Sequence, residues 1–192
     1  PRGGAIYNST GVQLIGFANV VDSLNAIDKA VFQEEFLSLE DLVECLANDW
    51  DDAEGVRSHL LRDVPKYGND DPEADAMAGR VLTHFCDEVL RYQNFRGGSF
   101  WPGIFSVGFH VALGAFSAAS PDGRRAGEVL GNGITPGSGC ASSGPTALLN
   151  SVARLPLSRA HNGTNLNLRF NPRWLRAEAL ASLMKTYFEL GG

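Results

Sequence analysis

No run of apolar residues in this sequence approaches the roughly 20 that a helix needs to cross a bilayer, so no membrane-spanning helix and no membrane partner is expected. There is no basic excess either. Lys and Arg number 16 against 22 Asp and Glu, a net charge of -6. That argues against a general nucleic-acid binder, which carries a basic face. The arginines that do cluster (Arg124 with Arg125, and Arg169, Arg173 and Arg176) sit beside apolar residues and turns and read as surface or paired groups. Cysteine is scarce: Cys45, Cys86 and Cys140 form an odd, scattered set without zinc-type spacing or a disulfide framework. Reduced thiols in a cytoplasmic setting fit best. Asp70 and Asp71 lack a third ligand nearby, so no metal site is expected. They read as a helix start favoured by the helix dipole. The chain has no initiator Met and no signal-like start, opening on Pro1-Arg2-Gly3-Gly4 and stopping at Leu190-Gly191-Gly192. Both ends read as interior cuts of a longer protein.

The composition present is ordinary for a globular protein, 44% hydrophobic and 20% charged, and the length suits one domain with a real core or two small ones. Apolar residues at three- and four-residue steps (Leu14, Ala18, Val21, Leu24, Ile27, Val31) predict a helix over 12–32. Ser38 with Asp41 three residues on predicts a capped helix start, and its stripe is Leu39, Leu42, Val43, Leu46 and Ala47. A short helix is expected over 53–61, and a long one from Asp71-Pro72 to about Tyr92. The period then changes. Residues 99–114 are aromatic, β-branched and roughly alternating, which predicts a strand with Phe105, Val107, Phe109 and Val111 on one face and Ile104, Ser106, Gly108 and His110 on the other. Pro145 opens a helix through Val152. Residues 163–172 predict a second strand (Leu166, Leu168 and Phe170 against Asn165, Asn167 and Arg169), and Pro172 begins a closing helix that includes Leu175. Many helices and few strands give an α/β reading. Two strands do not make a stable sheet alone, so partner strands are expected elsewhere.

Between Gly127 and Gly144 lie six glycines. A phosphate-binding loop would need Lys after its second glycine, and Pro145 stands there instead. A dinucleotide fingerprint fails at Ser142, which occupies the third glycine position. A nucleophile reading would rest on Cys140 with a histidine as base, and none of His59, His84, His110 and His161 is local to it. The remaining reading is scaffold, where glycines let backbone pack against backbone.

Several stretches carry a resemblance: "YNSTGVQLIGFANVVDSLNAI", "PKYGNDD", "FRGGSFWPGIFSVGFHVALG", "SPDGRRAGEVLGNGITPGSG", "GPTALLNSVARLP", and "NGTNLNLRFNP" with "YFELGG". Together, in this order and across almost the whole chain, they resemble the glycyl radical enzymes, the superfamily of pyruvate formate-lyase and its dehydratase, lyase and decarboxylase relatives. The resemblance implies that residues 1–192 are an incomplete, helix-rich segment of that family's ten-stranded α/β barrel. It implies a parent whose glycyl radical is installed by an activase using S-adenosylmethionine and an iron–sulfur cluster, and whose thiyl radical attacks a small organic substrate. A parent homodimer is the common family state. The family's Gly-Cys-x-Glu and Arg-Val-x-Gly-Tyr motifs are absent from the 192 residues. Cys86 falls in a mid-helix Cys-Asp-Glu after Phe85, not in a loop. No catalytic residue is therefore assigned. The substrate-pocket candidates that the resemblance implies are Phe105, Ser106, Val107 and His110, with the face of 104–112 left open. Non-catalytic binding or scaffold domain and one subunit of a split enzyme are the alternatives. Taken alone, the segment is expected to expose apolar surface.

Overall fold

The computed structural model describes residues 4–174 and 176–192, without the side chain of Trp174. The chain opens on strand β1 (Thr10–Gln13), which the helical period had masked. Gly16 then takes a left-handed φ of 79° and starts helix α1 (Phe17–Ala26). The helix expected over 12–32 is thus cut at its beginning, and its last part, Ile27–Gln33, is a π-helix. The wider turn lets Gln33 Nε2 donate to Asp28 five residues back, at 2.9 Å.

Helix α2 (Leu39–Ala47) starts as its sequence dictates. Ser38 Oγ accepts from Asp41 N at 3.0 Å, and Asp41 Oδ2 accepts from Ser38 N at 3.3 Å. Helix α3 (Glu54–Arg62) follows. Asp71 caps the long helix α4 (Pro72–Leu90), accepting from the amides of Glu73 and Ala74. Asp71 thus takes the expected helix-start role, whereas the Asp70 carboxylate pairs instead with Asn150 Nδ2 and Arg154.

Strand β2 is short, Phe100–Gly103. It pairs in parallel with β1, Thr10 opposite Phe100 through Gln13 opposite Gly103. On its other side Ile104 bridges to Thr164, with Ile104 N donating to Gly163 O and Asn165 N to Ile104 O, both at 3.0 Å. The segment expected as a strand over 163–172 therefore contributes a single bridge.

The strand expected over 99–114 is corrected more strongly. After Ile104 the backbone turns: Val107 has φ 42° and Gly108 φ 85°. Phe109 N donates to Ser106 O at 2.7 Å, and helix α5 (Phe109–Ala115) begins. Alternation of aromatic and β-branched residues came here from a turn and a helix, because local strand propensity yields to tertiary context. Helix α6 (Pro145–Ala153) and helix α7 (Ala177–Glu189) complete the chain. Leu175, expected in the closing helix, lies outside the described residues.

The core sits between α1, α4 and α6. Phe17, Ala18 and Val21 pack with Ala78, Leu82 and Cys86 and with Leu149 and Val152. Tyr67 lies edge-on to Phe17, ring centres 5.5 Å apart. A smaller cluster under α2 and α3 is built around fully buried Trp50 and Leu60. The outer side of α5 is different. Phe109, Val111 and Leu113 are about half exposed, and Phe116 is 90% exposed. Apolar surface is left open there, as expected. No helix among the described residues is long and apolar enough to cross a membrane.

Candidate functional site

The glycine-rich region is held by side chains that reach its backbone. Arg124 is buried, and among the described residues it has no carboxylate partner. Its guanidinium donates to the carbonyls of Arg125 (3.0 Å), Glu128 (2.9 Å) and Ala118 and, through Nε, to Ser120 Oγ (3.1 Å). Trp50 Nε1 and Arg57 Nε donate to the carbonyls of Arg124 and Gly123. Asn19 ties the loop to α1: its Nδ2 donates to Asp122 at 2.6 Å, and its Oδ1 accepts from Gly131 N at 2.7 Å. Further on, Asn69 Oδ1 accepts from the amides of Ser142 and Ser143 while its Nδ2 donates to Cys140 O. Such an arrangement satisfies loop backbone that would otherwise be buried unpaired. Glycine is required at Gly133, where φ is 61° and an added Cβ would overlap Asn165 O. Gly68 is similar, with φ 93° and Pro136 in the way.

Beside this scaffold are two clefts. The first, about 800 Å³, lies between His110 and residues 129–132, 135–139 and 167–170. Its polar lining comes from His110, Asn132, Thr135, Ser138, Asn167 and Arg169. The turn before α5 brings Ser106 and His110 together: Ser106 Oγ lies 2.9 Å from His110 Nδ1 and donates to Asn132 Oδ1 at 2.5 Å. Ser106 is fully buried behind His110, which is half-buried at the cleft wall. Of the other two pocket candidates, Phe105 is half-buried and Val107 is 76% exposed, and neither lines this cleft. Asn132 escaped the sequence reading because it sits in a loop 26 residues from Ser106. Asn167 N is held by Thr135 Oγ1 at 2.8 Å, and Asn165 O accepts from Ile134 N. The asparagines of 163–172 thus secure the loop through their backbones.

The second cleft, about 740 Å³, lies between 61–66, 69–72 and 138–143. Cys140 lines it, and no histidine is among its lining residues. Burial pushes the Cys140 thiol up to about 11, with Asp22 and Asp122 adding and Lys66 opposing. A raised thiol with no histidine in the cleft lining counts against the nucleophile reading of Cys140. Cys86 is fully buried in mid α4, and burial raises its thiol as well. Among the described residues no group of three or more His, Cys, Asp or Glu is placed to hold a metal ion.

Under the loop is a buried carboxylate. Asp22 accepts from Tyr67 N at 2.8 Å. Burial raises its pKa from 3.8 to about 7, Lys66 and the Tyr67 amide pulling it back and Asp122 pushing it further. Lys66, also buried, donates to Asp122 O at 3.2 Å.

The comparisons with known proteins fit this geometry. The pyruvate formate lyase-like family profile matches residues 1–114, and the glycine radical profile matches 130–192. A probable dehydratase, YbiW, of Escherichia coli strain K12 is 36% identical over 98% of the chain. The glycerol-bound form of the B12-independent glycerol dehydratase from Clostridium butyricum superposes over 100% of the chain with a TM-score of 0.95 and 41% identity. A glycyl radical enzyme from Archaeoglobus fulgidus superposes over 99% with a TM-score of 0.91 and 39% identity. The chain spans 25% of the length of each of these three proteins. With the first profile alone covering more than half of its residues, the chain belongs to the pyruvate formate lyase-like family of glycyl radical enzymes, whose barrel it matches as a helix-rich segment and whose dehydratases and lyases are its relatives.

Proposed function

We propose that this chain forms one wall of the substrate pocket in a glycyl radical enzyme that carries out thiyl-radical chemistry on a small, hydroxyl-bearing organic substrate. The observation that carries the reading is the 800 Å³ cleft with His110, Asn132, Asn167 and Arg169 in its lining, framed by a loop whose backbone is tied down on both sides. A cleft of this size suits a small molecule. The glycerol-bound relative and the dehydratase relative support the substrate class. Of the four pocket candidates, Phe105, Ser106, Val107 and His110, only His110 is in the cleft lining; in this reading His110 meets the substrate, Ser106 stands behind it, and Phe105 and Val107 lie outside the cleft wall.

The radical supplies hydrogen abstraction when present. In this reading the glycyl radical belongs to the parent and is installed by a separate activase using S-adenosylmethionine and an iron–sulfur cluster. The parent is a cytoplasmic homodimer. The segment's own task is to bind, orient and exclude water, since neither Gly-Cys-x-Glu nor Arg-Val-x-Gly-Tyr occurs in it. The test is anaerobic activation of the intact polypeptide with a radical S-adenosylmethionine activase. The expected outcome is a glycyl radical signal by electron paramagnetic resonance and conversion of glycerol or propane-1,2-diol to an aldehyde. A radical signal with no turnover of any diol would overturn the substrate class. No radical signal at all would overturn the enzyme reading.

A further inference from the structure

Ser106 has one hydroxyl hydrogen and no contact with solvent. It lies between two groups, Asn132 Oδ1 at 2.5 Å and His110 Nδ1 at 2.9 Å. A carbonyl oxygen only accepts, so the serine hydrogen goes to Asn132. Ser106 Oγ is then left with lone pairs alone, and His110 Nδ1 must supply the hydrogen of the second bond. A neutral imidazole has a single N–H. With that hydrogen on Nδ1, Nε2 is an acceptor, and it has no hydrogen-bond partner among the described residues. The residue itself is part of the cleft wall.

Both ends of this chain of bonds are fixed. Gly131 N is bound to Asn19 Oδ1, and Gly133 is packed on Asn165 O, so Asn132 is clamped from either side. Leu130 N donates to the His110 carbonyl at 3.2 Å, which ties the first turn of α5 to the same loop. Val107, a β-branched residue at φ 42°, holds the turn that sets Ser106 under His110. Backbone in that region is costly for such a residue and persists where its surroundings enforce it.

We propose that Asn132 and Ser106 are positioning residues that hold His110 as its Nδ1–H tautomer, so that Nε2 accepts a hydrogen bond from a hydroxyl of the molecule in the cleft. The identity of that molecule rests on the pocket reading above; the tautomer does not. The opposite orientation of the Asn132 amide would donate to Ser106, send the serine hydrogen to Nδ1 and leave Nε2 as a donor. The two arrangements therefore have opposite spectroscopic signatures.

The experiment is a long-range ¹H–¹⁵N correlation on ¹⁵N-histidine-labelled protein at pH 8. His110→Gln identifies the signals of His110 among those of the intact polypeptide. The expected result is a protonated Nδ1 and a bare Nε2. Asn132→Leu removes the acceptor, frees the serine hydrogen for Nδ1, and should move the tautomer towards Nε2–H. Asn132→Asp keeps an acceptor and should leave it in place. An Nε2–H tautomer in the unaltered protein, or one unmoved by Asn132→Leu, overturns the proposal. Should Asn132→Leu not fold, the unaltered protein and Asn132→Asp still decide. In the activated enzyme, with glycerol as probe, Asn132→Leu should raise KM about tenfold and change kcat less, the effect of one lost hydrogen bond. A tautomer that responds as expected with an unchanged KM would overturn the pocket reading while leaving the relay intact.

Discussion

The two sides of this molecule treat apolar surface in opposite ways. Between α1, α4 and α6 it is closed: Phe17, Leu82 and Val152 have no exposure, and the loop laid over them is tied by Asn19, Arg124 and Asn69. Along α5 it is open, with Phe116 almost fully exposed and Phe109 and Val111 more than half so. The hydrophobic residues are of the same kind; the difference lies in what faces them. The open side flanks the cleft whose wall includes His110 and leaves apolar side chains exposed. The packed core of this chain therefore lies on one side and the proposed binding cleft on the other.

The comparison can be broken at several points, the largest first. Asp22 is the unsettled charge of the closed side. Its folded pKa, about 7, is above its unfolded value of 3.8. Below pH 4 the group is protonated in both states. As pH rises from 4 to 7 the unfolded chain ionises while the folded chain keeps its proton, so stability falls, and above 7 the whole loss is present. The shift corresponds to on the order of 4 kcal/mol. Asp22→Asn keeps an acceptor for Tyr67 N and should raise stability at pH 8 by a similar amount while flattening the profile between pH 4 and 7, as read by urea unfolding across pH. Leu82→Ala, at a fully buried site, should cost about 3 kcal/mol in the same assay. Gly133→Ala should cost about 2 kcal/mol, because it adds a left-handed strain to an overlap with Asn165 O. On the open side, Phe116→Ser should change the stability of this chain by no more than about 0.5 kcal/mol, and it should lower binding of a hydrophobic dye. If Phe116→Ser destabilises as much as Leu82→Ala, the two sides are not different in kind.

Where packing is local, the sequence was a good guide. Ser38 with Asp41 and Asp71 with Pro72 announce the starts of α2 and α4, because a cap acts within three residues. The region 99–114 was misread because alternation and β-propensity do not register that Val107 and Gly108 adopt positive φ. Strand β1 was hidden because its partner lies far along the chain. The family was legible from six motifs in order, and the site only in part. His110 and Ser106 stand out as polar residues in an apolar stretch, but their pairing depends on a turn, and Asn132 enters from a loop that nothing local connects to them. The role of Arg124 was missed in the same way: a buried guanidinium serving carbonyls looks, in sequence, like any surface arginine.

The pairing of β1 with β2 has a kinetic consequence. Thr10 meets Phe100, ninety positions later, and the two strands are parallel, so no hairpin can bring them together early. At ribosomal rates of about 5–20 residues per second, β1 waits roughly 5–20 s for its partner to be made. Through that interval it lacks β2, and Ile6 and Tyr7 beside it are strongly exposed even in the finished fold. The closing of that ninety-residue circuit is a slow, aggregation-exposed step for this segment, and a chaperone that shields residues 6–13 would act on it directly.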